Sequence, residues 1–126
     1  GRRDRWLALK NASDGRVTGD AVKTVDYAKM DLAGRALRTE TLPAGTRLQQ
    51  DEFKGRLVRV DGRVAAGSRL AVEFRGETFD VWVPDETLRS RLRASFKEGA
   101  PMRFFGELGQ YRGRWQFVIH DASWVK

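Results

Sequence analysis

The sequence predicts a mainly β protein: a small five-stranded barrel in the order β-β-β-α-β-β, preceded by a mixed or helical N-terminal extension. Three observations carry this. Between Leu57 and Val83, three consecutive segments alternate apolar and polar residues with period two, the pattern of half-buried antiparallel strands. From Leu88 to Phe96 the apolar residues change to a spacing of four, a helical stripe. From Met102 to Ile119 the period of two returns in two segments joined by a Gly-flanked turn.

The elements follow in order. In the first strand Val58, Val60 and Val64 alternate with Arg59, Asp61 and Arg63, and Gly62 stands where the register calls for a fourth apolar residue. A small barrel bends its first strand sharply, and glycine permits the bend. After the turn Ala65-Ala66-Gly67-Ser68, Leu70, Val72 and Phe74 alternate with Arg69, Ala71, Glu73 and Arg75. Gly76 makes a hairpin, and Phe79, Val81 and Val83 alternate with Thr78, Asp80 and Trp82. Pro84-Asp85 ends that strand. Asp85 suits an N-cap and Glu86 the first helical turn. Leu88, Leu92 and Phe96 form one face of a three-turn helix, with Arg89, Arg91 and Arg93 assigned to its solvated side, and Gly99-Ala100-Pro101 closes it. Met102, Phe104 and Leu108 then face inward with Gly106 in the same register, so Phe105 is expected to face out. After Gly109–Gly113, Trp115, Phe117 and Ile119 complete the barrel.

Residues 1–50 are read as an extension packing on the barrel domain of residues 51–126. Arg2, Arg3 and Arg5 precede Trp6, and Asn11–Gly15 is a turn cluster. Apolar residues at Val22, Val25, Ala28, Leu32, Ala33, Ala36 and Leu37 fit a helix over Asp20–Leu37. A strand over Ala21–Met30 is the competing reading, since Val22, Thr24, Val25 and Tyr27 favour β structure. Pro43-Ala44-Gly45 marks the hand-over to the barrel.

Composition bounds the function. A chain of 126 residues is one domain and can bury a core without staples. It has no cysteine, which excludes disulfides and thiolate metal sites. No apolar run reaches the length of a membrane span, and no signal peptide is visible. The compartment stays open: cytoplasm is the default reading, and periplasm is compatible with a signal or anchor removed upstream of Gly1. The formal net charge is +7, of which residues 1–50 carry +4 and residues 51–126 carry +3. A basic balance of this kind is the electrostatic footprint of a nucleic-acid binder. No metalloprotease, phosphate-loop or nucleophile-elbow pattern occurs, and the chain has one histidine. The reading is therefore a non-catalytic binding module with no cofactor and no metal.

Val60-Asp61-Gly62-Arg63-Val64, the Phe79–Val83 strand, Gly106-Glu107-Leu108 and Tyr111-Arg112-Gly113-Arg114-Trp115-Gln116-Phe117 together resemble the OB-fold of the tRNA-anticodon-binding type. The resemblance runs from about Leu57 to Trp124. It implies a ligand lying across the outer face of the second and third strands, framed by two loops. The implied partner is single-stranded nucleic acid, with Arg59, Arg63, Arg69, Arg75, Arg112 and Arg114 pairing with phosphates and Trp82 and Tyr111 stacking bases. Phe105 faces out on the fourth strand and could stack a base, although packing is the more common role for such a residue, and Ser68 is a framing residue. Glu73, Asp80 and Glu107 on the outer face are expected to pair with arginines across strands. The alternative is a protein-interaction or self-association module using Trp82 and the N-terminal segment. A second similarity is to the periplasmic haem chaperone of cytochrome c maturation, also an OB-fold. It rests on Gly62–Ser68, Phe96-Lys97-Glu98-Gly99 and His120-Asp121-Ala122-Ser123-Trp124. In that family the histidine binds haem covalently with a supporting tyrosine. Here Trp124 holds the tyrosine position and cannot coordinate iron.

Overall fold

The computed structural model describes residues 25–126. Five strands, β1 (Leu57–Val64), β2 (Ala71–Phe74), β3 (Glu77–Trp82), β4 (Pro101–Tyr111) and β5 (Arg114–Val118), close into a barrel in the order β1-β2-β3-β5-β4. All neighbours are antiparallel except β3 and β5, which run parallel and pair Asp80 with Gln116 and Trp82 with Val118. Closure of five strands in this order, with a helix between β3 and β4, is the OB-like barrel that the alternation implied.

The inward residues of each strand meet in one core. Val58, Val60, Val72, Phe79, Val81, Met102, Phe104, Leu108, Phe117 and Ile119 are buried together. Phe117 is at its centre. Its ring lies 4.4 Å from Phe79, 5.7 Å from Phe104 and 6.5 Å from Phe74, centroid to centroid. Burying a side chain of this kind stabilises by about 1.5–3 kcal/mol. The helix Glu86–Ser95 adds Leu88 and Leu92 to the same core, with Phe96 half-buried beside it. Asp85 stands at its N-cap, and its side chain makes no capping hydrogen bond.

Gly62 is required by closure. β1 pairs with β4 from Leu57 to Arg63 and with β2 at Arg63 and Val64, so it changes partner around this residue. A Cβ at Gly62 would stand 2.4 Å from the Glu73 carbonyl oxygen, so the two backbones approach as only glycine allows. Both tight hairpins place two consecutive residues at positive φ: Arg75 and Gly76 between β2 and β3, Arg112 and Gly113 between β4 and β5. That is the type I′ signature, whose twist matches the strands it joins.

The segment before β1 departs from the single helix expected over Asp20–Leu37. Residues 20–24 lie outside the described residues. From Val25 onward there is a 3-10 turn at Tyr27–Lys29 and a one-turn helix, α1 (Leu32–Arg35), and the competing strand is equally absent. The Asp31 carboxylate accepts the Gly34 N–H at 3.1 Å, which fixes that turn locally. Most of what organises this segment comes from the barrel. The Leu37 N–H donates to the Leu57 carbonyl at 2.8 Å. The Glu77 carboxylate accepts from the Leu48 and Gln49 N–H groups at 2.8 and 3.2 Å. The Arg75 guanidinium donates to the Thr39 and Thr46 carbonyls at 3.0 and 3.3 Å. Leu48 is completely buried in the core.

The two ends of the described chain also cover free strand halves. Leu37 bridges to Val58 on β1, and Val125 bridges to Phe104 on β4. This decides between packing and stacking for Phe105. Its side chain is on the outer face as the alternation requires, yet it is buried, with the Lys126 ammonium 5.3 Å above its ring. Phe105 is a packing residue and offers no stacking surface. No helix among the described residues is long and apolar enough to cross a membrane.

Candidate functional site

A groove of about 620 Å³ lies across β3 and β5, between the helix α2 (Glu86–Ser95) and the β4–β5 hairpin. Its lining includes Arg69, Asp80, Trp82, Arg89, Arg93, Tyr111, Arg112, Arg114 and Gln116. Period two explains the floor. Asp80 and Trp82 alternate outward along β3, and Gln116 sits beside Asp80 on β5. The hairpin lifts Tyr111 and Arg112 over one side. Five arginines and one aspartate make this lining strongly cationic.

Trp82 and Tyr111 are the exposed aromatics among the described residues, at 44% and 60%. Each carries an arginine over its ring: Arg89 4.7 Å from the Trp82 centroid and Arg112 5.3 Å from that of Tyr111. Arg89 is anchored there by donating to the Val83 carbonyl at 2.7 Å. Arg93 points across to the Ser68 carbonyl at 3.5 Å. Arg112 has positive φ, uncommon for a residue with a Cβ. Arg75, in the equivalent turn position, uses its guanidinium to hold the N-terminal segment. Arg112 makes no hydrogen bond or ion pair of that kind among the described residues.

Asp80 is the fixed anion of the floor. Its carboxylate accepts from Arg114 Nε and Nη2 at 2.7 and 2.9 Å, a bidentate pair, with Arg69 3.8 Å away. The hydrogen bonds from Arg114 hold its pKa below the ordinary carboxylate value, against a partial burial that opposes ionisation, and the charges of Arg114 and Arg69 add to the lowering. A depressed carboxylate contributes stability above its unfolded pKa and loses it as pH falls through the folded one. Urea unfolding should therefore show the wild type more stable than Asp80→Asn by about 1 kcal/mol at pH 7, the scale of a partly exposed ion pair. The difference should close as pH drops below about 4, near the ordinary carboxylate value. Parallel curves from pH 7 to pH 2.5 would contradict this assignment.

Of the eight residues expected from the sequence, the groove brings together Arg69, Trp82, Tyr111, Arg112 and Arg114. Arg59, Arg63 and Arg75 lie elsewhere. Arg59 is on β1 opposite Phe105, on the wall formed with β4. Arg63 donates to the Gly99 carbonyl at 3.1 Å. Arg63 and Arg75 line a second groove of about 670 Å³ together with Asp61, Glu73, Glu77 and Arg103. That groove is balanced in charge and largely spoken for: Arg103 pairs with Asp61 at 3.3 Å, while Arg75 and Glu77 hold the N-terminal segment. Arg89 and Arg93, read as part of the helix's solvated face, line the first groove, Arg93 exposed and Arg89 half-buried. Their spacing of four, one residue past Leu88 and Leu92, was the available signal. It puts both on the flank of the apolar stripe, whereas Arg91 falls on another side.

His120 takes part in a separate cluster. Its ring stacks on Tyr27 at 4.3 Å, meets Trp124 edge-on at 5.4 Å, and its Nε2 hydrogen-bonds Glu107 Oε1 at 2.7 Å. Trp124 is buried and donates its indole N–H to the Tyr27 carbonyl at 3.0 Å. Asp121 accepts from the Ser123 hydroxyl and N–H, which lower its pKa and shape the turn that delivers Trp124. These residues do not fit a haem-bearing histidine, which needs an accessible ring against an open apolar surface. The cluster closes the end of the chain onto the segment before β1. Among the described residues no group of three or more acidic, histidine or cysteine side chains is placed to hold a metal ion. No family model matches the chain, and no curated protein or solved structure matches it significantly.

Proposed function

We propose that the groove between α2 and the β4–β5 hairpin binds single-stranded nucleic acid without catalysis. The observation that carries this is the concentration of five arginines and two exposed aromatics around one open groove on the β3 face. Phosphates need cations and unpaired bases need flat apolar faces, and single-strand sites combine the two. Among the described residues Arg89, Arg93 and Arg112 pair with no carboxylate, so no described carboxylate competes there with a ligand phosphate. The described part of the N-terminal segment packs along β1, Glu77, His120 and Trp124, and leaves Trp82 exposed.

Titration of tryptophan fluorescence with a single-stranded octanucleotide at 50 and 200 mM salt tests the proposal. Three phosphates neutralised on a single strand correspond to a slope of log K against log salt of about −2. Saturable binding with that slope is expected, and binding indifferent to salt contradicts it. The competing occupant is a protein partner, because Trp, Tyr and Arg are also the residues that dominate protein interfaces. That reading is favoured if oligonucleotides leave the fluorescence unchanged while sedimentation shows self-association suppressed by Trp82→Ala.

A further inference from the structure

Among the described residues Asp80 is the one carboxylate lining this arginine-rich groove, and it sits on the floor. It engages Arg114 in a bidentate pair and lies 3.8 Å from Arg69, so the floor offers phosphate less free positive charge than the walls do. The arginines that pair with no carboxylate among the described residues stand on the walls, Arg89 and Arg93 on α2 and Arg112 on the hairpin. A strand entering the groove is thus oriented with phosphates toward the walls and bases toward the floor. Trp82 follows Asp80 by two residues on the same face, so a base packed against Trp82 presents its edge to Asp80 and to the neighbouring Gln116. Asp80 gives each oxygen to one Arg114 N–H, which leaves further acceptor capacity on both. Gln116 is half-buried, and its side-chain amide has no hydrogen-bond partner among the described residues.

Resting on the nucleic-acid reading of this groove, we propose that Asp80 and Gln116 read base edges and select bases bearing an exocyclic amino group over uracil and thymine. An ionised carboxylate only accepts. Cytosine, adenine and guanine each offer an amino group to it, with the Gln116 amide complementing the adjacent ring nitrogen or carbonyl. Uracil and thymine present two carbonyl oxygens around a single N–H, and those oxygens face the Asp80 charge unfavourably.

The test is fluorescence anisotropy of the full chain with labelled dC8, dT8, rC8 and rU8. Comparing one pyrimidine with another holds ring size constant and isolates the edge. The C-strands are expected to bind about tenfold more tightly than the T- or U-strand in both sugars, the discrimination of one good base-edge contact. Asp80→Asn should reduce this ratio to about twofold or less, since an amide both donates and accepts. If that variant fails to fold, Gln116→Ala supplies the same readout, with the ratio again reduced. Equal affinity of the wild type for C- and T- or U-strands overturns the selectivity and leaves the binding site standing. Binding to none of the four overturns the nucleic-acid reading and the selectivity with it.

Discussion

Phe117→Ala is expected to destabilise the barrel by about 3–5 kcal/mol, the range for removing a buried phenyl ring from a well-packed core. The reason is its place in the topology. Phe117 lies on β5, the strand that closes the barrel by pairing in parallel with β3 and antiparallel with β4. Its ring contacts Phe79 from β3, Phe104 from β4 and Phe74 from β2, so one side chain joins the inner faces of four strands. The core is also tight around it: a Cβ at Gly106 would stand 2.8 Å from the Phe117 Cβ. The cavity left by alanine is bounded by closed sheet on every side, which limits collapse. Since small domains have about 5–15 kcal/mol in total, the variant should be close to unfolding at 37 °C. Urea denaturation followed by circular dichroism measures the loss, and a loss below about 1 kcal/mol would show that the barrel does not depend on this packing.

Trp82→Ala is expected to weaken single-stranded oligonucleotide binding by about 5- to 150-fold, from the roughly 1–3 kcal/mol that one base–aromatic stack contributes. Its effect on folding should be within about 1 kcal/mol, because Trp82 is 44% exposed and points away from the core. Two consequences of the substitution act together. The stacking platform goes, and Arg89 loses the ring that positions its guanidinium. Trp82→Phe should recover part of the affinity, since a smaller aromatic face remains. Affinity unchanged in Trp82→Ala, with the fold intact, would place the ligand elsewhere.

The barrel was legible because its signals are local. Period-two alternation names the inward residues, Gly76 marks the first hairpin, and Gly62 stands out as the missing apolar residue of β1; the second turn, read as Gly109–Gly113, is tighter, with β4 running on to Tyr111. The segment before β1 was not legible for the opposite reason. Its apolar residues suit a helix, but its backbone is held by Glu77 and Arg75, side chains about thirty or more residues away that leave no periodic trace. The role of Phe105 was open for a related reason: alternation assigns the residue to the outer face, and the segment around Val125 determines that this part of the face is covered.

The site was legible in part, and barrel curvature explains the remainder. Alternation identifies outward arginines but does not say which side of a closed barrel they occupy. Arg59 and Arg63 on β1 are outward, yet they face away from Trp82 because β1 and β3 are separated by β2 in the barrel order. Arg69, Arg112 and Arg114 converge because the loop before β2 and the β4–β5 hairpin rise at the same rim. Arg89 and Arg93 join them from a helix whose apolar stripe dictates which flank overlooks β3.

The most direct measurement of the central claim is a 15N–1H correlation spectrum of the chain titrated with a single-stranded octanucleotide. The expected result is shifts centred on the Trp82 indole N–H and on the amides of Tyr111, Arg112, Arg114 and Gln116, with Arg59, Arg63 and Arg103 unmoved. Shifts centred on β1 and Arg103, or none at saturating oligonucleotide, would contradict it.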